Sequence, residues 1–348
     1  MVLFSNERFS ALGNPIVTLD YHVGGEPIRL VVDGLPEILG DTINDKRLYI
    51  REHFDDVRLM LTREPRGHRD MFAGIITDPV TEGSRFGIVF MDARRYPYMC
   101  GHGMIGAVTA FVEMGCLAAQ SGETHLVVDS PAGAVRASVR LSETAGQAIR
   151  VESVAIQMES AFAFLLDQAL DVPELGEITV DVCFAGGFFV MVSVEELGTA
   201  LYPENASALA QWGMAIIEAA NQQLEVQHPT RTYIDTVDVV EFYDLRGHQD
   251  GFGKNIVILG EGHVDRSPCG TGTAAKMALL HRRGLLSTGQ TFVNQGILET
   301  RFEGRIVAES TLGDLPIIIP EIRGSAHATG LHRFVVTPDD PLPQGFLI

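Results

Sequence analysis

Two segments of this chain carry one pattern. Residues 100–115 overlie residues 269–284 without a gap: Cys100 matches Cys269, Gly101 matches Gly270, Gly103 matches Gly272 and Gly115 matches Gly284. Just beyond, Leu117 matches Leu286. Each copy reads as an apolar strand-like run, a Cys-Gly-x-Gly turn, a helix and a glycine stop. A single copy would constrain little. Two copies, each opening on a cysteine, predict two similar halves and two half-sites facing one another across a cleft.

The rest of the chain fits that plan. Its 348 residues suffice for two domains, each with its own core. Residues 16–32 read as a hairpin turning at Gly24-Gly25-Glu26-Pro27, and a helix is expected from about Thr42, with Ile43, Ile50, Phe54, Val57 and Leu61 on its apolar face. Strands are expected at 73–77, 87–91, 124–129, 134–141, 151–158, 178–183, 188–194, 233–243 and 255–259. Residues 292–302 and 305–310 read as a hairpin, and 334–337 as a last strand. Leu209, Trp212, Ile216, Ala220 and Leu224 make residues 204–225 an amphipathic helix whose stripe is core. The small, polar stretch 142–147 is the expected boundary. The fold class is therefore α/β (α+β), with two pseudo-symmetric domains, 1–145 and 146–348, each a curved mixed sheet or barrel around a central helix, the C-terminal tail returning to the first.

With 45 acidic against 26 basic residues the formal charge is −19, which argues against a nucleic-acid partner, since a phosphate backbone wants a cationic face. The charge is no obstacle to a small zwitterion. Four cysteines without a CxxC pair suggest neither a disulfide framework nor a zinc knuckle. Residues Met1–Arg8 lack the basic start and apolar stretch of a signal peptide, and no apolar run is long enough to span a bilayer. A reducing cytoplasm is the expected compartment.

A cysteine at a helix start sits among N–H groups with no intrahelical partner, at the positive end of the dipole. That setting lowers a thiol pKa toward neutrality, and the flanking glycines admit a carboxylate to the bare N–H groups. Two such turns, nose to nose, could grip one carboxylate with a sulfur on either side of the α-carbon. One sulfur as thiolate would take the α-proton and the other as thiol would return one to the opposite face. His102 and Asp265 are candidate partners of the substrate nitrogen or of the sulfurs. The local alternatives are that Asp265 caps the turn carrying Ser267 and that His102 is a packed helix residue. A Cys100–His102 protease dyad is disfavoured, because residues two apart on a helix point to different faces. A metal site from Cys100, His102 and Cys269 is disfavoured too, and no motif calls for pyridoxal phosphate or a dinucleotide.

At Met99–Gly103 and Asp265-Arg-Ser-Pro-Cys-Gly-Thr-Gly-Thr273 the chain resembles the proline racemases and 4-hydroxyproline epimerases, whose fold is that of diaminopimelate epimerase. The likeness extends to His22–Pro27, Glu64–His68, Asp70–Phe72 and Ala185–Phe189. It implies a cofactor-independent isomerase, with Cys100 and Cys269 as the two bases. Gly101, His102, Gly103, Asp265, Gly270, Thr271 and Gly272 are the implied substrate-binding residues, with Phe72 covering the pyrrolidine ring. The sister trans-3-hydroxyproline dehydratases carry Thr where this chain has Cys269. Phe72 favours proline over 4-hydroxyproline, whereas Pro97, Leu259 and Met104 depart from the proline racemase pattern and leave the ring substituent open. The resemblance is compatible with a homodimer, for which no motif here shows an interface. The remaining alternatives are a dehydratase and a ligand-binding protein that kept the scaffold and lost the chemistry.

Overall fold

The computed structural model of the chain describes residues 14–120, 122–142, 149–247 and 250–348. The expected boundary 142–147, apart from Ser142, and the segment Met1–Arg8 lie outside the described residues. The protein is a mixed α+β structure rich in strands and poor in helices. Contacts divide it into two compact units: the described parts of Met1–Val23, Pro27–Val154 and Ser325–Ile348, and those of Gly24–Glu26 and Ala155–Gly324.

In the first unit the strands lie in the order Ala326–Phe334, Ile16–Val23, Glu26–Asp33 (from Pro27 on), Phe72–Thr77, Gly87–Asp92, Glu123–Ser130 and Gly133–Leu141. Two of these neighbours are parallel, Arg29–Val31 on Ala73–Ile75 and Gly87 on Asp129. Parallel neighbours need a crossover, and a helix is the usual one. The first crossover carries the helices Ile43–His53 and Asp55–Thr62, and the second carries Gly101–Glu113. The first pair puts Ile43, Ile50, Val57, Met60 and Leu61 against Val31, Ala73, Ile75, Val89 and Met91. The Gly101–Glu113 helix is buried nearly all round. Gly106 allows that closeness, since a Cβ there would come within 2.6 Å of Ile28 Cγ2.

The second unit repeats the logic. Its strands follow the circuit Phe162–Val172, Gly176–Phe184, Phe188–Ser193, Val237–Asp244, Phe252–Leu259, Thr291–Gln295, Arg301–Leu312 and Leu315–Gly324. Reciprocal backbone bonds between Ala161 and Ile318, 2.9 and 2.8 Å, bring the last strand back to the first. Again two neighbours are parallel, and their crossovers carry the helices Ala206–Gln223 and Gly270–Arg282. The latter packs on strands from both ends of the circuit, and it is buried from Thr273 to Leu280. Gly304 makes room for it: a Cβ there would lie 2.3 Å from Met277 Sδ.

Several expectations need correction. The helix expected from Thr42 to Leu61 breaks at Phe54, whose φ of −136° ends one helix and starts another. Phe162–Val172 is a strand that pattern reading misses, because the Asp167 bulge, at φ 53°, upsets its alternation. The hairpin placed at 292–310 exists, Thr291–Gln295 pairing antiparallel with Arg301–Leu312, but its turn is at 296–300 rather than 303–304, and Arg301–Leu312 pairs also with Leu315–Gly324, a strand that Pro316 and Pro320 disguise. A bulge at Ile306/Ala308 lies opposite Pro320. The last strand is Ala326–Phe334 rather than 334–337, and it is polar because it is mostly exposed while pairing along Ile16–Val23. Among the described residues no helix is long and apolar enough to cross a membrane.

Candidate active site

Both sequence-singled cysteines are helix N-caps. Cys100 has extended backbone, φ −145° and ψ 109°, and its Sγ accepts the Gly103 N–H at 3.4 Å. Cys269 caps its helix in the same way, accepting from Gly272 N at 3.3 Å. The glycine two residues into each helix thus gives its N–H to sulfur. The helices close their first backbone bonds at Met104 N to Cys100 O and Thr273 N to Cys269 O. Geometry leaves the N–H groups of Gly101 and His102, and those of Gly270 and Thr271, as the ones without an intrahelical acceptor.

Around Cys100 the partners are aromatic. His102 Nδ1 lies 3.4 Å from Sγ, and the His102 ring meets Phe72 edge to face at 4.9 Å. The argument that residues two apart point to different faces fails here, because Cys100 is the cap and not a residue of the helix. His102 is buried, as its packed-residue reading requires, and it also touches sulfur. Beneath this first turn lies the Phe90 ring, 2.8 Å from where a Gly103 Cβ would stand.

Around Cys269 the partners are polar. The Thr271 hydroxyl stands 3.4 Å from Sγ, and the Cys269 N–H donates to Ser267 Oγ at 3.0 Å. Ser267 donates both its N–H and its hydroxyl to Asp265 Oδ1, 2.8 and 2.7 Å. Asp265 therefore does cap the turn, as its local reading holds. Behind it Glu26, fully buried, accepts from the Arg266 N–H at 2.8 Å and lies 3.0 Å from His263 Nε2. Burial and the Glu26 carboxylate push Asp265 up to about 7, against the Ser267 donors and His263. Burial and the Asp265 charge in turn push the Cys269 thiol up, with Thr271 and Gly272 opposing. The helix start expected to bring this thiol toward neutrality is thus outweighed at Cys269 by desolvation and a neighbouring carboxylate.

A folded-state Asp265 pKa near 7 means that the folded protein keeps a proton which the unfolded chain releases near its ordinary carboxylate range. Between those values folding binds the extra proton, so stability falls as pH rises from about 4 to about 7. Asp265→Asn is expected to flatten that descent, read as urea midpoints at about pH 4 and about pH 7. A descent as steep as the parent's would mean that Asp265 is already ionised.

Cys269 differs from Cys100 in one further respect, a φ of 58° with ψ 115°. Such a conformation costs a non-glycine residue roughly 1–3 kcal/mol and persists only when its surroundings over-determine it. Here two side-chain amides converge on the preceding carbonyl, Pro268 O, Asn255 Nδ2 at 2.8 Å and Asn294 Nδ2 at 3.1 Å, while the Thr273 hydroxyl donates to Cys269 O at 2.7 Å. Asn255 also donates to Glu241 Oε1 at 3.0 Å. Lys276 Nζ reaches the same Glu241 oxygen at 3.1 Å and Asn294 Oδ1 at 2.6 Å. Glu241, Asn255, Thr273, Lys276 and Asn294 are all fully buried. Sequence reading met Thr273 only as the end of the second cysteine motif and singled out none of the other four, because positions 241, 255, 276 and 294 form no motif. It met Glu26 only as part of a turn.

With the geometry in hand, likeness to known proteins is informative. A family model described as proline racemase matches residues 18–347. Proline racemase of Clostridioides difficile is 42% identical over 333 residues, covering 96% of this chain and 98% of that protein. Trans-3-hydroxy-L-proline dehydratase of Bacillus thuringiensis subsp. konkukian is 36% identical, over 95% of this chain and 97% of its own. A crystal structure of a hydroxyproline epimerase from Agrobacterium vitis, with bound trans-4-OH-L-proline, superposes with a TM-score of 0.85 at 29% identity, covering 96% of each chain. A strand-rich α+β fold together with these relatives marks the protein as an isomerase of the amino-acid racemase and epimerase class. Within that class, the chain belongs to the proline racemase family.

Proposed function

We propose that the protein inverts Cα of proline, in preference to trans-4-hydroxy-L-proline, with Cys100 and Cys269 as a thiol/thiolate pair and without a cofactor. The observation that carries this reading is the shared geometry of the two cysteines: each caps a buried helix and each accepts the N–H of that helix's third residue, so each sulfur stands at a helix N-terminus, where an anion is favoured. The substrate carboxylate takes N–H groups of Gly101 and His102 and of Gly270 and Thr271. Gly103 and Gly272 hold the sulfurs. One sulfur, as thiolate, takes the Cα proton, and the helix N-termini stabilise the charge that spreads onto the carboxylate as the C–H bond breaks. The other, as thiol, gives a proton to the opposite face, and the two sulfurs end with their protonation exchanged. Asp265 and the His102 ring serve the ring nitrogen, and Phe72 covers the pyrrolidine carbons, which suits an apolar ring better than a 4-hydroxyl.

A dehydratase reading would require the second sulfur to be dispensable. Cys269 stands where the sister dehydratases resemble this chain except for a Thr, and that weighs for inversion. The deciding experiment incubates the enzyme alone with L-proline, trans-4-hydroxy-L-proline and trans-3-hydroxy-L-proline in heavy water, followed by chiral chromatography. The expected result is D-proline carrying deuterium at Cα, formed faster than the hydroxyproline epimer. Loss of water from the 3-hydroxy compound would establish dehydration instead, and no deuterium uptake from any of the three would establish a binding protein.

A further inference from the structure

The two cysteine turns match in sequence and capping yet differ in what lies beneath them. Under Gly103 sits the Phe90 ring, whereas under Gly272 sits a carboxylate: a Cβ on Gly272 would come within 2.7 Å of Glu241 Oε2. That oxygen is buried without a hydrogen-bond partner, while Oε1 takes both Lys276 and Asn255. The ion pair is therefore oriented. Its bare negative end faces the first turn, at the glycine whose N–H holds the Cys269 sulfur, and Lys276 stands a turn farther along the helix. In the alignment of the two copies Ala107 occupies the position of Lys276, so the first helix carries no lysine at that place.

We propose that the buried Glu241–Lys276 pair is a positioning element that makes the two sulfurs unequal, biasing Cys269 toward the protonated state so that, in a pair sharing one proton, the proton rests on Cys269. This inference rests on the two-thiol reading above. The pair acts through two links. The Asn255 and Asn294 amides that it orients clamp the Pro268 carbonyl and so maintain the unusual backbone of Cys269. The outward oxygen of Glu241 opposes the dipole of the helix start, which would otherwise favour a thiolate. Burial raises Glu241 to about 6, with Lys276 and Asn255 pulling it down, so it is ionised at and above neutral pH. Besides burial, Asp265 and Glu241 raise the Cys269 thiol and the Thr271 hydroxyl and Gly272 N–H lower it, while the Lys276 charge and Cys269 attract one another. Lys276 faces Glu241, Asn294 and the Lys254 carbonyl, with the Asp244 charge beyond.

Site-resolved iodoacetamide labelling of Cys269 across a pH series, read by peptide mass spectrometry on the full-length protein, tests this without reference to turnover. Glu241→Gln is expected to lower the labelling midpoint of Cys269 by about one unit, making labelling about tenfold faster below it. Lys276→Met is expected to raise the midpoint, and Glu241→Asp, which keeps the charge, to hold it near the parent's. A merely structural role would loosen the turn in both single variants and move both midpoints the same way, and that outcome overturns the proposal. Should a single variant not fold, the neutral pair Glu241→Gln with Lys276→Gln decides, because the nearer negative charge outweighs the farther positive one. A midpoint below the parent's supports the proposal, and one at or above it overturns it. The substrate experiment can fail while these midpoints move as expected, so the two readings are separable.

Discussion

Cys100→Ser and Cys269→Ser are each expected to lower proline inversion by about a thousandfold or more, within the range that a positioned acid or base contributes. A serine hydroxyl keeps the size and the N-cap geometry of the thiol but is far too weak an acid to sit on either side of a proton transfer near neutral pH. The fold should survive, because serine is itself a favoured N-cap and would accept the Gly103 or Gly272 N–H in place of sulfur. Each variant retains one working sulfur, so any residual wash-out of Cα deuterium should be confined to one enantiomer, with opposite handedness in the two. Chiral chromatography together with exchange measured separately on L- and D-proline gives both quantities. Inversion persisting near the parent rate in either variant would refute the two-thiol assignment.

Arg29→Leu should have the largest effect on stability. Arg29 is almost wholly buried in the first unit, where it pairs with Asp20 at 2.8 Å and donates to the carbonyls of Leu61 and Arg66, both at 2.7 Å. Its guanidinium also stacks 4.3 Å from the Phe334 ring centroid. One side chain thus ties strand Glu26–Asp33 to the end of a helix, to a loop and to the C-terminal strand. Leucine would leave the buried Asp20 carboxylate with only the Thr18 hydroxyl at 2.8 Å and the His332 ring at 3.5 Å, and would take the guanidinium donor from two carbonyls. Breaking such a pair costs roughly 3–5 kcal/mol, much of it the penalty of the orphaned charge. Asp20→Asn added to Arg29→Leu should recover part of the loss, which urea denaturation of the two variants and the parent would reveal. A shift within about 0.5 kcal/mol of the parent would place the pair among ordinary surface contacts.

How legible these features were depended on whether their cause is local. The Cys-Gly-x-Gly turns could be read because a strand, a cap and a helix follow one another in the chain, and caps are recognised by residue type within a few positions. Leu209, Ile216 and Ala220 announced their helix through period alone, and they are buried as that period requires. Leu315–Gly324 was illegible because its two prolines contradict strand propensity, which pairing with Arg301–Leu312 overrides. Ala326–Phe334 was illegible because an exposed strand has no apolar alternation to show. His102 was placed near its sulfur by type, while its contact with Sγ depends on the extended backbone of Cys100.

The amino-acid sequence by itself determined the repeat, the two capped helices and the cysteines that open them, since each arises from residues within a turn or two of one another. Only the tertiary structure decided that one turn rests on the Phe90 ring and the other on a buried ion pair. Glu241, Asn255, Lys276 and Asn294 sit on three strands and a helix, and nothing but strand register brings the two amides to the Pro268 carbonyl with the ion pair behind them. Register is set by the whole closed circuit of the sheet, a property that no stretch of sequence holds alone.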